Sequence, residues 1–201
     1  NEPDDPFFRG KCGPKLTYSL QTNQLTINGE GEMFDYEFNY DSYSEPNSTT
    51  PWDFTKRTIT SVSISSDVTT IGSYAFYYLS SLSSIILPEK VESIGTYAFS
   101  GCSNLLSITI PETVSSIGPS SFSFCTNLKN IQFPANLTSI GFDLFGQCKN
   151  IQSISIPDQI GILSSSMFSD SLISTLNFPK KMETIESKTF YNCYSLKNIV
   201  I

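Results

Sequence analysis

Three of the five cysteines, Cys102, Cys125 and Cys148, stand at one fixed interval along the chain. Thiols at a fixed interval suggest disulfide formation or soft-metal ligation. Stacked on successive layers, their Cα atoms would lie about 5 Å apart, within reach of a disulfide. Three in a row cannot all pair, no CxxC occurs, and a buried thiol behaves as a small apolar group. Free thiols are therefore expected. Cys193 returns to the same repeat position, with Ser171 in between, and Cys12 has no obvious partner. The acids Asp35, Glu37, Asp41 and Glu45 could gather calcium, which takes several oxygens, but they lack the D-x-D-x-D-G spacing. No metal site and no cofactor is expected. The chain has no histidine, which removes Ser-His-Asp and Cys-His catalysis and every His-based metal site. Nor do paired carboxylates suited to acid-base chemistry recur along the chain. No catalytic residue is assigned, and the chain is read as a non-enzyme.

What would position these residues is a repeat. Phe76, Phe99, Phe122, Phe145, Phe168 and Phe190 recur with a constant step that shortens by a single position only at the end. Leu82, Leu105, Leu128, Ile151 and Leu196 each follow a Phe at the same offset. Next come Ile85, Ile108, Ile131, Ile154 and Ile199, and then Leu87, Ile110, Phe133, Ile156 and Ile201. The apolar-polar alternation predicts a strand with one buried face. Pro88, Pro111, Pro134, Pro157 and Pro179 should end it, lacking an N–H for the ladder. A V-x-x-I-G stretch (Val91, Ile94, Gly95 and equivalents) points further apolar residues inward. Its Gly is expected to supply a backbone conformation that other residues avoid, although Ser164 and Glu186 later replace it. The return side should hold short strands or 3₁₀ turns. The coil at Phe168 is one residue short after its Phe, and a partial coil with Val62, Ile64, Val68 and Ile71 precedes Phe76. One coil cannot bury its own apolar face, but stacked neighbours can, with Phe forming a continuous spine. Six coils at about 4.8 Å give a slab roughly 25–30 Å long.

The pattern L-x-x-I-x-I-P-x-x-V-x-x-I-G-x-x-A-F-x-x-C resembles the BspA-type leucine-rich repeat family. Tyr74-Ala75-Phe76 and Tyr97-Ala98-Phe99-Ser100-Gly101-Cys102 match it closely. The expected fold is mainly β: a leucine-rich-repeat solenoid of about 23-residue coils, wound as a right-handed superhelix. Residues 58–201 would hold about six coils, and residues 1–57 an N-terminal β-hairpin cap. The buried Asn three residues after the strand in many leucine-rich repeats is replaced by Lys90, Thr113 and Asn136, so no Asn ladder is expected. The segments around Leu16–Leu20, Leu25–Met33 and Pro51-Trp52 resemble the region preceding such repeats. Thr22-Asn23-Gln24 reads as the hairpin turn, with Trp52 and Met33 plugging the first coil. Family members are mostly secreted or surface proteins linked to adhesion. The resemblance thus implies an extracellular or cell-surface module binding a protein or glycan on a host cell or matrix. The alternative is a structural spacer carrying another domain.

Composition agrees with a folded chain: 39% hydrophobic and 15% charged over 201 residues. A net charge of −7 argues against nucleic acid and anionic membranes as partners. No apolar run approaches the roughly 20 residues of a membrane helix. The chain begins at Asn1 without Met and ends within a repeat at Ile201, so a trimmed fragment is expected. The outward residues of the strands are Ser84, Ser107, Asn130, Ser153, Thr175 and Asn198, with Ile86, Thr109, Gln132, Ser155, Asn177 and Val200 two positions on. They read either as a binding face or as a solvated sheet surface. The candidate site is Ser107, Thr109, Asn130, Gln132, Ser153, Ser155, Thr175 and Asn177. No aromatic or Arg anchors are among them. Phe34, Tyr36, Phe38 and Tyr40 alternate with polar residues, as a recognition strip or as a cap strand packed on the first coil. Asn47 and Asn136 head N-glycosylation sequons, which matter in a eukaryotic secretory route.

Overall fold

In the computed structural model, residues 8–38 and 48–200 are described. Tyr40, Asp41, Glu45, Asn47 and Ile201, all named above, lie outside them. The N-terminal segment forms β1 (Phe8–Lys11), β2 (Leu16–Gln21) and β3 (Gln24–Glu32). β1 and β2 pair antiparallel, as do β2 and β3. Gln24 is the first residue of β3 and faces Gln21, so the hairpin turn is Thr22-Asn23, with Thr22 at φ 54°. β1 was not foreseen in the sequence.

The rest is a stack of coils whose strands form two parallel ladders, the coil after Phe76 contributing to the second alone. The first ladder follows the L-x-x-I-x-I segment: β4 (Ser61–Ile64), then β7 (Ser107–Thr109), β9 (Asn130–Gln132), β11 (Ser153–Ser155), β13 (Thr175–Asn177) and β15 (Asn198–Val200). The second follows V-x-x-I-G: β5 (Asp67–Ile71), β6 (Ser93–Ile94), β8 (Ser116–Ile117), β10 (Ser139–Ile140), β12 (Ile162–Leu163) and β14 (Thr184–Ile185). Register confirms the repeat step. Ser107 faces Asn130 and Ser93 faces Ser116, one full period on, whereas Ser153 faces Thr175, one position sooner. The missing residue falls between Ser171, buried at the Cys position, and Ile173, buried at the Leu position. It removes part of a turn and leaves the core intact. Each Pro accepts from the N–H three residues on, as Pro111 does from Val114 at 3.0 Å, so Pro closes the strand and opens a tight turn.

The third side is neither strand nor 3₁₀ helix. The residues two before and two after each Phe have positive φ: Tyr74 and Tyr78, Tyr97 and Gly101, Ser120 and Phe124, Asp143 and Gln147, Ser166 and Asp170, Lys188 and Asn192. The hydrogen bonds explain why. Phe76 and its two left-handed neighbours, Tyr74 and Tyr78, donate their N–H groups to Ala98, Thr96 and Ser100 of the next coil, each at 2.8 Å. The residues between, Ala75 and Tyr77, donate within their own coil to Gly72 and Tyr74. Alternate amides thus point along and across the stack, and both sets are satisfied. Strain of this kind costs about 1–2 kcal/mol per residue, and the inter-coil bonds offset it.

The Gly of V-x-x-I-G has a different purpose from the one expected. Gly72, Gly95, Gly118 and Gly141 do not have positive φ. A Cβ on Gly95 would collide with the backbone of Gly72 and Ser73, and one on Gly118 with Gly95 and Thr96. Close approach of coils is what demands Gly here.

The Phe rings stack from Phe76 to Phe190 with centroids 5.3–6.2 Å apart. One apolar core runs from Cys12 in the hairpin to Leu176. β3 begins the stack, pairing parallel with β4 along Gln24–Ile27 and with β5 along Glu30–Glu32, where a bulge falls at Gly31/Glu32. Because the third-side amides that leave their own coil all donate toward the next one, the first coil's outward carbonyls need other donors. Tyr36 N–H supplies Ser73 at 2.9 Å, and the Trp52 indole supplies Ala75 at 3.0 Å. Trp52 and Met33 are buried, and Trp52 meets Tyr18 and Tyr36 edge-on. The cap therefore covers the core end and also terminates a hydrogen-bond ladder.

Candidate binding surface

Alternation along the first ladder aims every second side chain at solvent. Ser107, Thr109, Asn130, Gln132, Ser153, Ser155 and Asn177 are exposed, and Thr175 is half-buried. Pairing aligns Thr109 with Gln132 and Ser155 with Asn177, whose amide donates to the Ser155 hydroxyl at 3.2 Å. The ladder is discontinuous. β7 pairs with β9, β11 with β13 and β13 with β15, while residues 84–86 form no strand. Ile86 projects there at 87% exposure.

The second ladder was not anticipated as a surface. A groove of about 470 Å³ runs along it, lined by Thr70, Ser93, Ser116 and Ser139 over the Gly72–Gly141 floor. Glu32 and Asp35 close its cap end. Asp35 also accepts the Ser73 N–H at 2.7 Å. The recurrence of Ser beside Gly was the available signal. Asn104, Asn127 and Asn150 form a short side-chain ladder with amide contacts of 3.4 Å. It lies at the turn before the strand, apart from the position after it held by Lys90, Thr113 and Asn136.

Phe34, Tyr36 and Phe38 do not form a recognition strip. Residues 33–37 form no strand, and Phe38 makes an isolated bridge to Ser48. Tyr36 is buried and Phe34 is exposed. Tyrosines gather instead on the third side, where Tyr74 stacks on Tyr97 at 5.0 Å and Tyr77 meets Tyr74 edge-on at 5.3 Å.

The five cysteines are free. Cys102, Cys125, Cys148 and Cys193 each donate to the carbonyl of a Phe in the preceding coil, at 2.9–3.2 Å. Burial pushes the Cys102 thiol up to about 12 and Cys125 well above its ordinary value. Asp143 is also raised, by burial, with the Ser120 hydroxyl opposing at 3.2 Å. Lys90 lowers Asp67, and Lys180 lowers Asp158. Asn136 is exposed in the turn after β9, and its sequon partner Thr138 donates to the Ser115 carbonyl at 3.1 Å. Among the described residues no group of three or more His, Cys, Asp or Glu side chains is placed to hold a metal ion, and no helix is long and apolar enough to cross a membrane.

Stacked strands, a Phe spine and an indole-capped start define a leucine-rich-repeat solenoid. The BspA type leucine-rich repeat region matches this chain in six copies over residues 51–172 and 127–201, and the chain belongs to that family. No curated protein matches it in sequence. A leucine-rich cell surface protein of Faecalibacterium prausnitzii is 26% identical with a TM-score of 0.71, over 98% of this chain and 55% of that one. The Treponema pallidum leucine-rich repeat protein is 22% identical with a TM-score of 0.65, over 100% and 81%. A leucine-rich repeat protein of Eubacterium ventriosum is 21% identical with a TM-score of 0.61, over 96% of this chain but 43% of its own length.

Proposed function

We propose that this chain is a non-catalytic binding module of a cell-surface or secreted protein, recognising a protein or glycan on a host cell or matrix. The observation that carries the reading is the pair of in-register rows of uncharged polar groups, Ser107 and Thr109 beside Asn130 and Gln132, and Ser153 and Ser155 beside Thr175 and Asn177, all exposed except the half-buried Thr175. Hydroxyls and amides repeating at strand spacing on a rigid scaffold can follow an extended ligand without induced fit. The surface location of the F. prausnitzii relative supports the same compartment for this chain.

The test is binding of the full chain to matrix proteins, host cells and glycan arrays, against a variant carrying Thr109→Arg, Gln132→Arg and Ser155→Arg. These side chains are exposed, so the variant should melt as the parent does. Loss of binding in the variant is expected. A chain that binds none of these targets overturns the reading in favour of a spacer, and equal binding by both moves the site off this face.

A further inference from the structure

The repeat departs from its own rules in the coil after Phe76. Ser84–Ile86 occupy the positions that form β7, β9 and β11 in later coils, yet neither they nor Leu87 form a strand. Their backbone N–H and C=O groups make no hydrogen bond to any described residue. In the preceding coil, β4 pairs only with β3 among the described residues, leaving its other edge unpaired. Between the two lies a cleft of about 630 Å³ whose apolar lining includes Val62, Ile64, Ile86 and Leu87. Ile86 stands at its mouth, 87% exposed. Glu89 and Lys90 also line it, with Lys90 already ion-paired to Asp67. In later coils the residue after Pro is engaged: Glu112 accepts the Ala135 N–H at 3.3 Å, and Asp158 accepts the Lys180 N–H at 3.2 Å. The Glu89 carboxylate has no partner among the described residues.

We propose that this cleft docks an extended peptide by strand addition along Ser84–Leu87, with an aliphatic side chain against Ile86 and a Lys or Arg beside Glu89. Each part of the site selects that occupant. An unpaired strand edge takes another backbone, since only a peptide offers donors and acceptors alternating at strand spacing. The aliphatic wall requires an apolar side chain on the inward face. The unengaged carboxylate requires a cation, and complementary charge fixes register and direction. The cleft volume falls within the range of small ligand sites, about 300–1,000 Å³. This inference rests on the binding-module reading and names the partner's chemistry at a second place on the same solenoid.

The experiment is selection of phage-displayed random peptides on the full chain, followed by affinity measurement of the winners as synthetic peptides. Winners should alternate β-branched aliphatic with polar residues and carry Lys or Arg at one end. Ile86→Lys should weaken them about tenfold or more, and so should N-methylation of alternate peptide amides, which removes backbone donors while keeping the side chains. Glu89→Lys should weaken them and be rescued by a peptide with Glu in place of its basic residue. Hydrogen exchange at Ser84–Leu87, fast in the free chain, should slow on binding. Ile86 and Glu89 are exposed, so unchanged thermal melts certify the variants. Selection of no peptide overturns the proposal, as does binding indifferent to Ile86→Lys or to N-methylation. Retained matrix or host-cell binding alongside such a failure leaves the broader function standing, and loss of matrix binding alone leaves the cleft standing.

Discussion

The buried thiols show how a residue can be selected for a bond no sequence motif announces. Each Cys at the repeat position gives its S–H to a Phe carbonyl one coil back, so it fills space and satisfies a buried acceptor at once. Folded Cys102 stays protonated up to about 12, whereas the unfolded chain ionises near 9.0. A raised acid pKa contributes stability that is whole below the unfolded value and lost as pH rises toward the folded one. Denaturant stability is therefore expected to hold to about pH 8 and fall above about pH 9, with a smaller slope in Cys102→Ala. Native Cys102, Cys125 and Cys148 should resist thiol reagents at neutral pH, and the unfolded chain should titrate as five free thiols. Asp143 carries the opposite consequence for neutral pH. Burial raises its pKa, so the ionised form is disfavoured in the fold. Asp143→Asn should be neutral or stabilising by up to about 1 kcal/mol near pH 7, the gain vanishing at pH values where both states are protonated. Urea titrations at several pH values check both expectations.

At the scale of elements, the paired strands, the Pro that ends each one and the capping hairpin were legible because alternation and turn residues encode them locally. The alternating third side was not. Tyr97, Ser120, Asp143 and Lys188 share a left-handed backbone but no side-chain type, because hydrogen bonds between coils impose the conformation. The Gly row is plain in the sequence but its cause is not, since a close approach between neighbouring coils is invisible within one coil. The two explanations separate experimentally. Gly95→Ala should destabilise by about 1–3 kcal/mol, because its Cβ meets backbone of the preceding coil. At Gly161 the nearest atom to an added Cβ is the Lys181 carbonyl oxygen at 3.5 Å, so Gly161→Ala should be tolerated or gain about 0.4–1 kcal/mol. The candidate binding strip was legible as alternation, whereas the cleft at Ser84–Leu87 was not, because a missing ladder leaves no mark on the apolar pattern.

For the whole molecule, neighbouring coils share one Phe stack and one direction of hydrogen bonding, so stability should be close to a sum over coils and interfaces. Phe122→Ala, in mid-stack, should cost about 3–5 kcal/mol. Excising residues 112–134, one full period, joins equivalent positions and should leave a cooperative fold with a lower melting temperature. Excising half that length should abolish the transition seen by circular dichroism. The Trp52 indole gives this tolerance a fixed origin. It replaces a missing coil's Phe amide at Ala75 and can do so only once. Unequal recombination between coils can therefore lengthen or shorten the solenoid while the cap and the interface it seals pass unchanged between generations. Reach from the capped end becomes a trait that can drift quickly under selection, separately from the chemistry displayed beside it.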